Sequence, residues 1–357
     1  MNEQTAKKWY IKCLVTLVII LIFPILITII IDPYFHFHKP LPCLSYRLYE
    51  ERYINSGIAK HFKYNAIITG SSMTQNFKTS ELDAFFGTTS IKLPLSGASY
   101  KELSDNLDYA LSQDNDIKMV LWALDYNDLL KEYNYMRYDS HPYYLYDNSY
   151  WNDISYLLNK DVLYHGILPV LTMTLTGTPS TSMDEYSSFK LETGYDSIMD
   201  EYKRKQISRS PQNKLFDETN RETVAKTITY NIINLVNRYP DVDFYIFYPP
   251  YSICYWDKLQ LLGEMEMQFE ATQVATELLL ECPNIKLYNF FECYDMICNL
   301  NNYSDTIHYT AEINSQILKW ISNDNYLVTK DNYLNTLKNQ LDFYKNFDYD
   351  TFFKEAS

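Results

Sequence analysis

With 357 residues, 46% hydrophobic and 21% charged, the chain has enough apolar material for a substantial core and excludes general disorder. Its length allows one large or two modest domains. A formal net charge of −14 argues against nucleic acid or anionic membrane lipid as the main partner, because both are gripped by clustered Lys and Arg.

From the start of the chain, Cys13 to Ile31 run without a charge, long enough to cross a bilayer core as a helix, with Pro24 tolerable as a kink. Lys7, Lys8 and Lys12 precede the run, which predicts that residues 1–12 stay cytoplasmic and the rest lies outside. A cleaved signal peptide is the competing reading. The run is longer than a usual signal core, and Ile29 to Tyr34 holds no small-x-small cleavage site, so an uncleaved single-pass anchor over 13–31 is expected. Residues 32–61 then form a juxtamembrane segment. His36 and His38, at alternate positions just outside the membrane, are expected to be solvated at the interface.

Tyr64 to Thr69 has the length and β-branched content of a buried strand, so Gly70-Ser71-Ser72-Met73 falls where a strand gives way to a helix. Such a junction exposes a side chain beside free backbone N–H groups. A short helix is predicted over Thr79 to Phe86, capped by Thr79 or Ser80. Ser90 to Gly97 reads as a second strand ending in a glycine, where a loop amide can approach a reacting carbonyl closely. A helix over Ser99 to Gln113 follows, with Leu103, Leu107 and Leu111 on one face. The strand Ile117 to Ala123 leads into Leu124-Asp125-Tyr126-Asn127-Asp128.

Residues 129–215 break this rhythm with a tyrosine cluster (Tyr133, Tyr135, Tyr138, Tyr143, Tyr144, Tyr146) and a Thr/Ser/Gly/Pro-rich passage from Thr172 to Ser188. We read an insertion, part lid and part flexible loop. The rhythm returns with a helix over Asn220 to Arg238 and a strand over Val242 to Tyr248, closed by Pro249-Pro250. Tyr251, Ser252 and Trp256 sit just past the carboxyl end of that strand, where open α/β sheets bind ligands, so they are candidate pocket walls, the alternative being a rigid turn. Residues 256–281 read as helix, Ile285 to Phe290 as the last central strand, and Ala311 to Ile321 as an amphipathic helix. The tail, 326–357, is expected to be helical and carries no chemistry. Alternating strands and helices of this kind predict an α/β fold with a parallel sheet covered on both faces.

The chemistry lies in two segments. A serine hydroxyl is nearly inert at neutral pH until a base takes its proton, and Asp305-Thr306-Ile307-His308 sets a carboxylate three residues from an imidazole it can orient. Together, Gly70-Ser71-Ser72 and Asp305 to His308 resemble the SGNH/GDSL hydrolase superfamily over residues 62–325. The resemblance implies a flavodoxin-like, three-layer α/β/α domain. Ser72 is then the nucleophile, His308 the base and Asp305 its orienter, while Gly97 and Asn127 donate to the oxyanion. The third block departs from the family pattern, lacking the glycine before Asn127-Asp128, which leaves Asp125 as an alternative participant and a candidate pocket residue beside Tyr251, Ser252 and Trp256.

Within the superfamily the chain resembles the membrane-anchored type associated with acylation of cell-surface polysaccharide or teichoic acid. That implies an extracytoplasmic O-acyl, chiefly acetyl, transferase or esterase acting through a covalent Ser72 ester. It also implies a multispanning membrane acyltransferase as partner. Hydrolysis and transfer use the same residues; the acceptor, water or a sugar hydroxyl, differs. A non-catalytic glycan-binding or scaffold subunit, and a membrane-tethered lipase or thioesterase, are the competing functions. The 35 tyrosines suit stacking on sugar faces or ordinary core and surface filling. No histidine pairs with a Cys or second His at a metal spacing, so neither metal nor cofactor is expected. Cys43, Cys254, Cys282, Cys293 and Cys298 lie outside the span, an odd number that leaves at least one unpaired; Cys293 and Cys298 close a short loop if bonded.

Overall fold

The computed structural model describes residues 3–138, 141–147 and 149–355. The extreme residues of the expected cytoplasmic segment and tail, and residues 139, 140 and 148 of the expected insertion, therefore lie outside the described residues. In chain order the regular elements are α1 (Glu3–Ile31), α2 (Glu51–His61), β1 (Ala66–Gly70), α3 (Thr79–Phe86), β2 (Ser90–Pro94), α4 (Tyr100–Leu111), β3 (Met119–Ala123) and α5 (Ile154–Leu157). They continue with α6 (Leu168–Thr176), α7 (Tyr195–Tyr202), α8 (Glu218–Ile228), α9 (Asn234–Arg238), β4 (Asp243–Tyr248), α10 (Ile253–Leu262) and α11 (Met265–Leu279). The last are β5 (Ile285–Asn289), α12 (Tyr294–Ile297), α13 (Ala311–Ser322), β6 (Leu327–Val328), α14 (Tyr333–Asn346) and α15 (Tyr349–Glu355). Two compact units result, one from the described parts of Met1–Phe62 and Ser140–Ser182, the other from those of Lys63–Asp139 and Met183–Ser357.

The second unit is built on one six-stranded sheet in the order β2-β1-β3-β4-β5-β6. The first five strands are parallel, in the doubly wound flavodoxin-like order, and β6 runs antiparallel to β5. Every residue of β1, β2 and β3 is buried, as a strand covered on both faces requires. Gly70 lies opposite Pro94, Ala123 opposite Phe247 and Tyr248 opposite Asn289, so the carboxyl ends of the five parallel strands share one edge. Helix α4 starts at a capping box, in which Glu102 Oε2 accepts the Ser99 amide at 2.9 Å.

Several sequence expectations need correction. The second strand stops at Pro94, and Gly97 belongs to the turn after it. The helix expected over 256–281 is two, starting at Ile253 and broken at Gly263. The helix expected over 220–238 starts at Glu218 and passes through a π-helical stretch, Thr229–Ile233, where the tighter α spacing is interrupted. The tail adds the short β6 before α14 and α15.

In the first unit, α1 is the one helix among the described residues long and apolar enough to cross a membrane. Directly after it, Asp32 adopts φ 44° and gathers four donors. Oδ1 accepts the His36 amide at 3.0 Å and the Tyr156 hydroxyl at 2.9 Å; Oδ2 accepts the amides of Phe37 at 2.7 Å and His38 at 2.9 Å. Burial raises the Asp32 pKa, although these donors oppose it. His36 is not solvated: it is buried, with Nε2 2.9 Å from Asp153 Oδ1, because the chain after α1 turns inward instead of lying along an interface. His38 is closer to expectation. It is half-buried, and its two ring nitrogens face the carbonyls of Ile29 at 3.0 Å and Lys39 at 2.8 Å, a pairing that a protonated ring completes. All six cysteines are free thiols.

Candidate functional site

The turn after β1 is shaped by one residue that only glycine can supply. Gly70 has φ +149°, and a Cβ there would meet Thr74 Cγ2 at 2.7 Å and Ala123 Cβ at 3.2 Å. Its carbonyl is held by the Leu95 amide at 2.9 Å. Ser71 then caps a single 3-10 turn, Ser72–Thr74, accepting the Met73 amide on Oγ at 3.3 Å, while Thr74 Oγ1 donates to the Ser71 carbonyl at 2.9 Å. Ser72 is thereby left at the head of the turn, half-buried. Behind it, the buried Lys92 of β2 donates Nζ to the carbonyls of Gln75 at 2.5 Å, Phe77 at 3.0 Å and Asp184 at 3.2 Å. The segment leaving the turn is thus fastened to the neighbouring strand.

Ser72 Oγ is 2.7 Å from His308 Nε2, and His308 Nδ1 is 2.5 Å from Asp305 Oδ2. With the ring proton on Nδ1 and donated to Asp305, Nε2 is free to accept from the serine. Asp305 Oδ1 accepts the amides of Ile307 at 2.8 Å and His308 at 2.7 Å, so the carboxylate shapes its own loop as well as the imidazole. Burial opposes the Asp305 charge, yet its bonds from His308 and the two amides outweigh that and hold its pKa below the usual carboxylate value. For His308, burial alone would lower the pKa; the bond to Asp305 and the charges of Asp305 and Asp125 prevail and raise it.

The loop carrying Asp305 and His308 is closed by an antiparallel bridge between Tyr303 and Tyr309 and by the Ser304 amide on the His308 carbonyl at 3.1 Å. From outside, Ser252 donates both its amide, at 3.1 Å, and its hydroxyl, at 2.9 Å, to the Thr306 carbonyl. The Tyr303 hydroxyl reaches the Pro250 carbonyl at 2.8 Å, and Ser197 Oγ of α7 reaches that of Ser304 at 3.3 Å. The edge of the Phe189 ring packs against the His308 imidazole, centroids 5.9 Å apart.

Three residues expected as pocket walls are none. Tyr251, Ser252 and Trp256 are fully buried. Ser252 anchors the loop that carries Asp305 and His308, Trp256 stacks on Tyr344 with centroids 4.2 Å apart, and Tyr251 donates its hydroxyl to Asp125 Oδ1 at 2.6 Å. An apolar ring past a strand end was drawn into the aromatic core under α10, α11 and α14 rather than left at a cleft. Asp125 does border the site: it is half-buried, bonded also to the Ser71 side chain, and close enough to His308 to act on its charge. Burial raises the Asp125 pKa, against the hydroxyls of Ser71 and Tyr251.

Gly97 takes φ +62° in a turn closed by the Ala98 amide on the Leu95 carbonyl, and a Cβ there would meet the Tyr138 hydroxyl at 3.1 Å. Asn127 is exposed in the 3-10 turn Tyr126–Asp128 after β3. Among the described residues, the backbone N–H groups of Ser72, Gly97 and Asn127, and the Asn127 amide side chain, donate to no acceptor. All three stand just past carboxyl ends of adjacent strands, β1, β2 and β3, so N–H groups that no protein acceptor takes up gather at the edge that carries Ser72.

Sequence reasoning missed the roles of Lys92, Phe189 and Ser197. Only Lys92 left a signal, a charge in the middle of an otherwise apolar buried strand. The other two act across more than a hundred residues of chain.

No family model matches the chain, and no curated protein does. A solved structure described as that of "a putative platelet activating factor from Streptococcus pneumonia" superposes with a TM-score of 0.43 at 12% identity, over 77% of this chain and 90% of that one. A likeness that loose says nothing about function.

Proposed function

We propose that the protein is a serine-dependent acyl-transfer enzyme of the SGNH/GDSL kind, an O-acyltransferase or esterase that forms a covalent ester on Ser72. The observation that carries the reading is the unbroken line from Ser72 Oγ through the His308 ring to Asp305. Ser72 Oγ attacks the ester carbonyl carbon while its proton passes to His308 Nε2, and Asp305 stabilises the imidazolium that forms. The negative oxygen of the tetrahedral intermediate is received by the N–H groups of Ser72 and Gly97, with Asn127 as a further donor. As the intermediate collapses, the carbon–oxygen bond to the leaving alcohol breaks and His308 returns its proton to that oxygen. Water or a sugar hydroxyl then attacks the Ser72 ester, its proton going to His308, and Ser72 is released protonated.

We place this chemistry outside the cell membrane, with α1 as an uncleaved anchor whose lysine-flanked start faces the cytoplasm. The substrate we propose is an O-acetylated or acetyl-accepting cell-surface glycan, of the polysaccharide or teichoic-acid kind. A multispanning acyltransferase would deliver the acyl group. The resemblance of the two site segments to membrane-anchored acylation proteins, and the span ahead of them, support this assignment.

The test uses full-length protein in detergent, a chromogenic acetyl ester and a fluorophosphonate probe. Ser72→Ala should abolish both acetate release and labelling while the circular dichroism spectrum stays unchanged, and Ser71→Ala should keep the label. A labelled peptide carrying the probe on Ser71 would overturn the assignment.

A further inference from the structure

The first unit leaves its large apolar side chains in water to a degree that a soluble surface does not tolerate. Outside α1 they crowd into residues 150–175: Trp151 is 96% exposed, Leu175 86%, Tyr150 73% and Tyr164 66%. Leu168 and Leu175, seven residues apart on α6, lie on one helical face, and Tyr164 stands one turn before them. The opposite face is spoken for. Val170 is buried, and a Cβ on Gly166 would come within 2.8 Å of the Pro33 side chain, two residues beyond the end of α1. The apolar stripe is therefore a second, unpartnered face, not a core face turned outward.

These elements are locked to the exit of α1. Tyr156 of α5 donates its hydroxyl to Asp32 and accepts the Tyr34 amide at 3.3 Å, and Asp153 pairs with His36. Thr28, within the last turn of α1, reaches the Leu157 carbonyl at 3.5 Å. Wherever the end of α1 leaves the bilayer, Trp151, Tyr164, Leu168 and Leu175 are held beside it. Two tyrosines and a tryptophan with leucines are the composition that settles at the headgroup level, where a ring can bury its apolar body and keep its polar edge wet.

We propose that the segment 150–175 is an interfacial foot, resting in the outer headgroup layer beside the anchor and inserting Trp151, Leu168 and Leu175 into the lipid. The inference rests on α1 being a membrane span. The contact is apolar, so it needs no anionic lipid, in keeping with the acidic chain. A foot of this kind fixes the tilt of the unit on the membrane, which a single helix on a free hinge does not.

The test reconstitutes the full chain, with Cys43→Ser, in phosphatidylcholine vesicles and attaches an environment-sensitive fluorophore at one position at a time. The positions are Ile22→Cys at the middle of the span, or Trp151→Cys, Leu168→Cys and Leu175→Cys, each in a Cys13→Ser background. Insertion about 5–10 Å deep predicts that the last three lose about half their emission or more to a shallow nitroxide lipid, and that position 22 responds more to a deep one. A quenched position 22 with the other three in water overturns the foot and leaves the anchor standing. If position 22 is not quenched, the span reading itself fails and the foot with it. Labels shielded from water yet untouched by nitroxide lipid, in vesicles that also hold a membrane protein partner, would assign the face to that protein and overturn the lipid contact.

Discussion

The two halves of the candidate site are held by different physics. Ser72 is placed by backbone shape: a glycine at φ +149°, a fully buried strand beneath it and one 3-10 turn. Asp305 and His308 sit on a loop without a regular element beneath them, and polar staples fix it: two amides on Asp305, both donors of Ser252 on Thr306, Ser197 on Ser304. The nucleophile end should therefore fail through sterics and stability, and the base end through geometry and charge at nearly constant stability.

The largest effect is expected at the base end. His308→Ala should lower kcat by several orders of magnitude, and Asp305→Asn by about 10⁴-fold, the cost known for losing an orienting carboxylate. Steady-state kinetics checks both, and an unchanged rate in His308→Ala would sink the hydrolase reading.

At the nucleophile end, Gly70→Ala forces a side chain into left-handed backbone and against the buried Thr74 methyl. It should cost about 1–3 kcal/mol in thermal or denaturant unfolding and slow fluorophosphonate labelling together with it. If the label slowed with stability intact, backbone shape would not be what places Ser72.

A milder break is Ser252→Ala, which removes one of two bonds to the Thr306 carbonyl and leaves the amide one in place. A net loss near 1 kcal/mol, read in kcat with KM kept, corresponds to a rate reduction of about fivefold. A change in KM instead would return Ser252 to the substrate pocket.

The smallest effect, and the sharpest on charge, is the pH profile. His308 must be neutral to take the Ser72 proton, so kcat/KM rises with pH through the His308 pKa. Asp305 raises that pKa, which puts the ascending limb above the ordinary histidine value of about 6.5. In Asp305→Asn the residual activity should rise at lower pH, because an uncharged partner no longer favours the imidazolium.

The same contrast explains what could be read from sequence. A buried strand ending in Gly-Ser-Ser carries its geometry within a few residues, so the turn and its sheet position were legible. Asp305 and His308 share a loop and a spacing, which made their pairing readable; their meeting with Ser72, 236 positions away, was reachable only through the alternating pattern of a doubly wound sheet. What stayed hidden depends on contacts between distant segments. Ser252 after two prolines looks like any turn serine, and Phe189 lies at the end of a polar passage. His36 finds Asp153 across 117 residues. Trp256 was misplaced because position past a strand end says nothing about which way a large ring turns. β6, two residues long, is too short for any period to register.

The six unpaired thiols bear on how the molecule matures. No disulfide holds either unit, so folding needs no oxidant and should survive production in a reducing cytoplasm. Burial pushes the Cys293 thiol up to about 12 and that of Cys298 to about 11, and raises Cys254 further, leaving almost no thiolate at neutral pH to be oxidised or to scramble into a wrong pairing. Alkylating reagents should find the exposed Cys43 first.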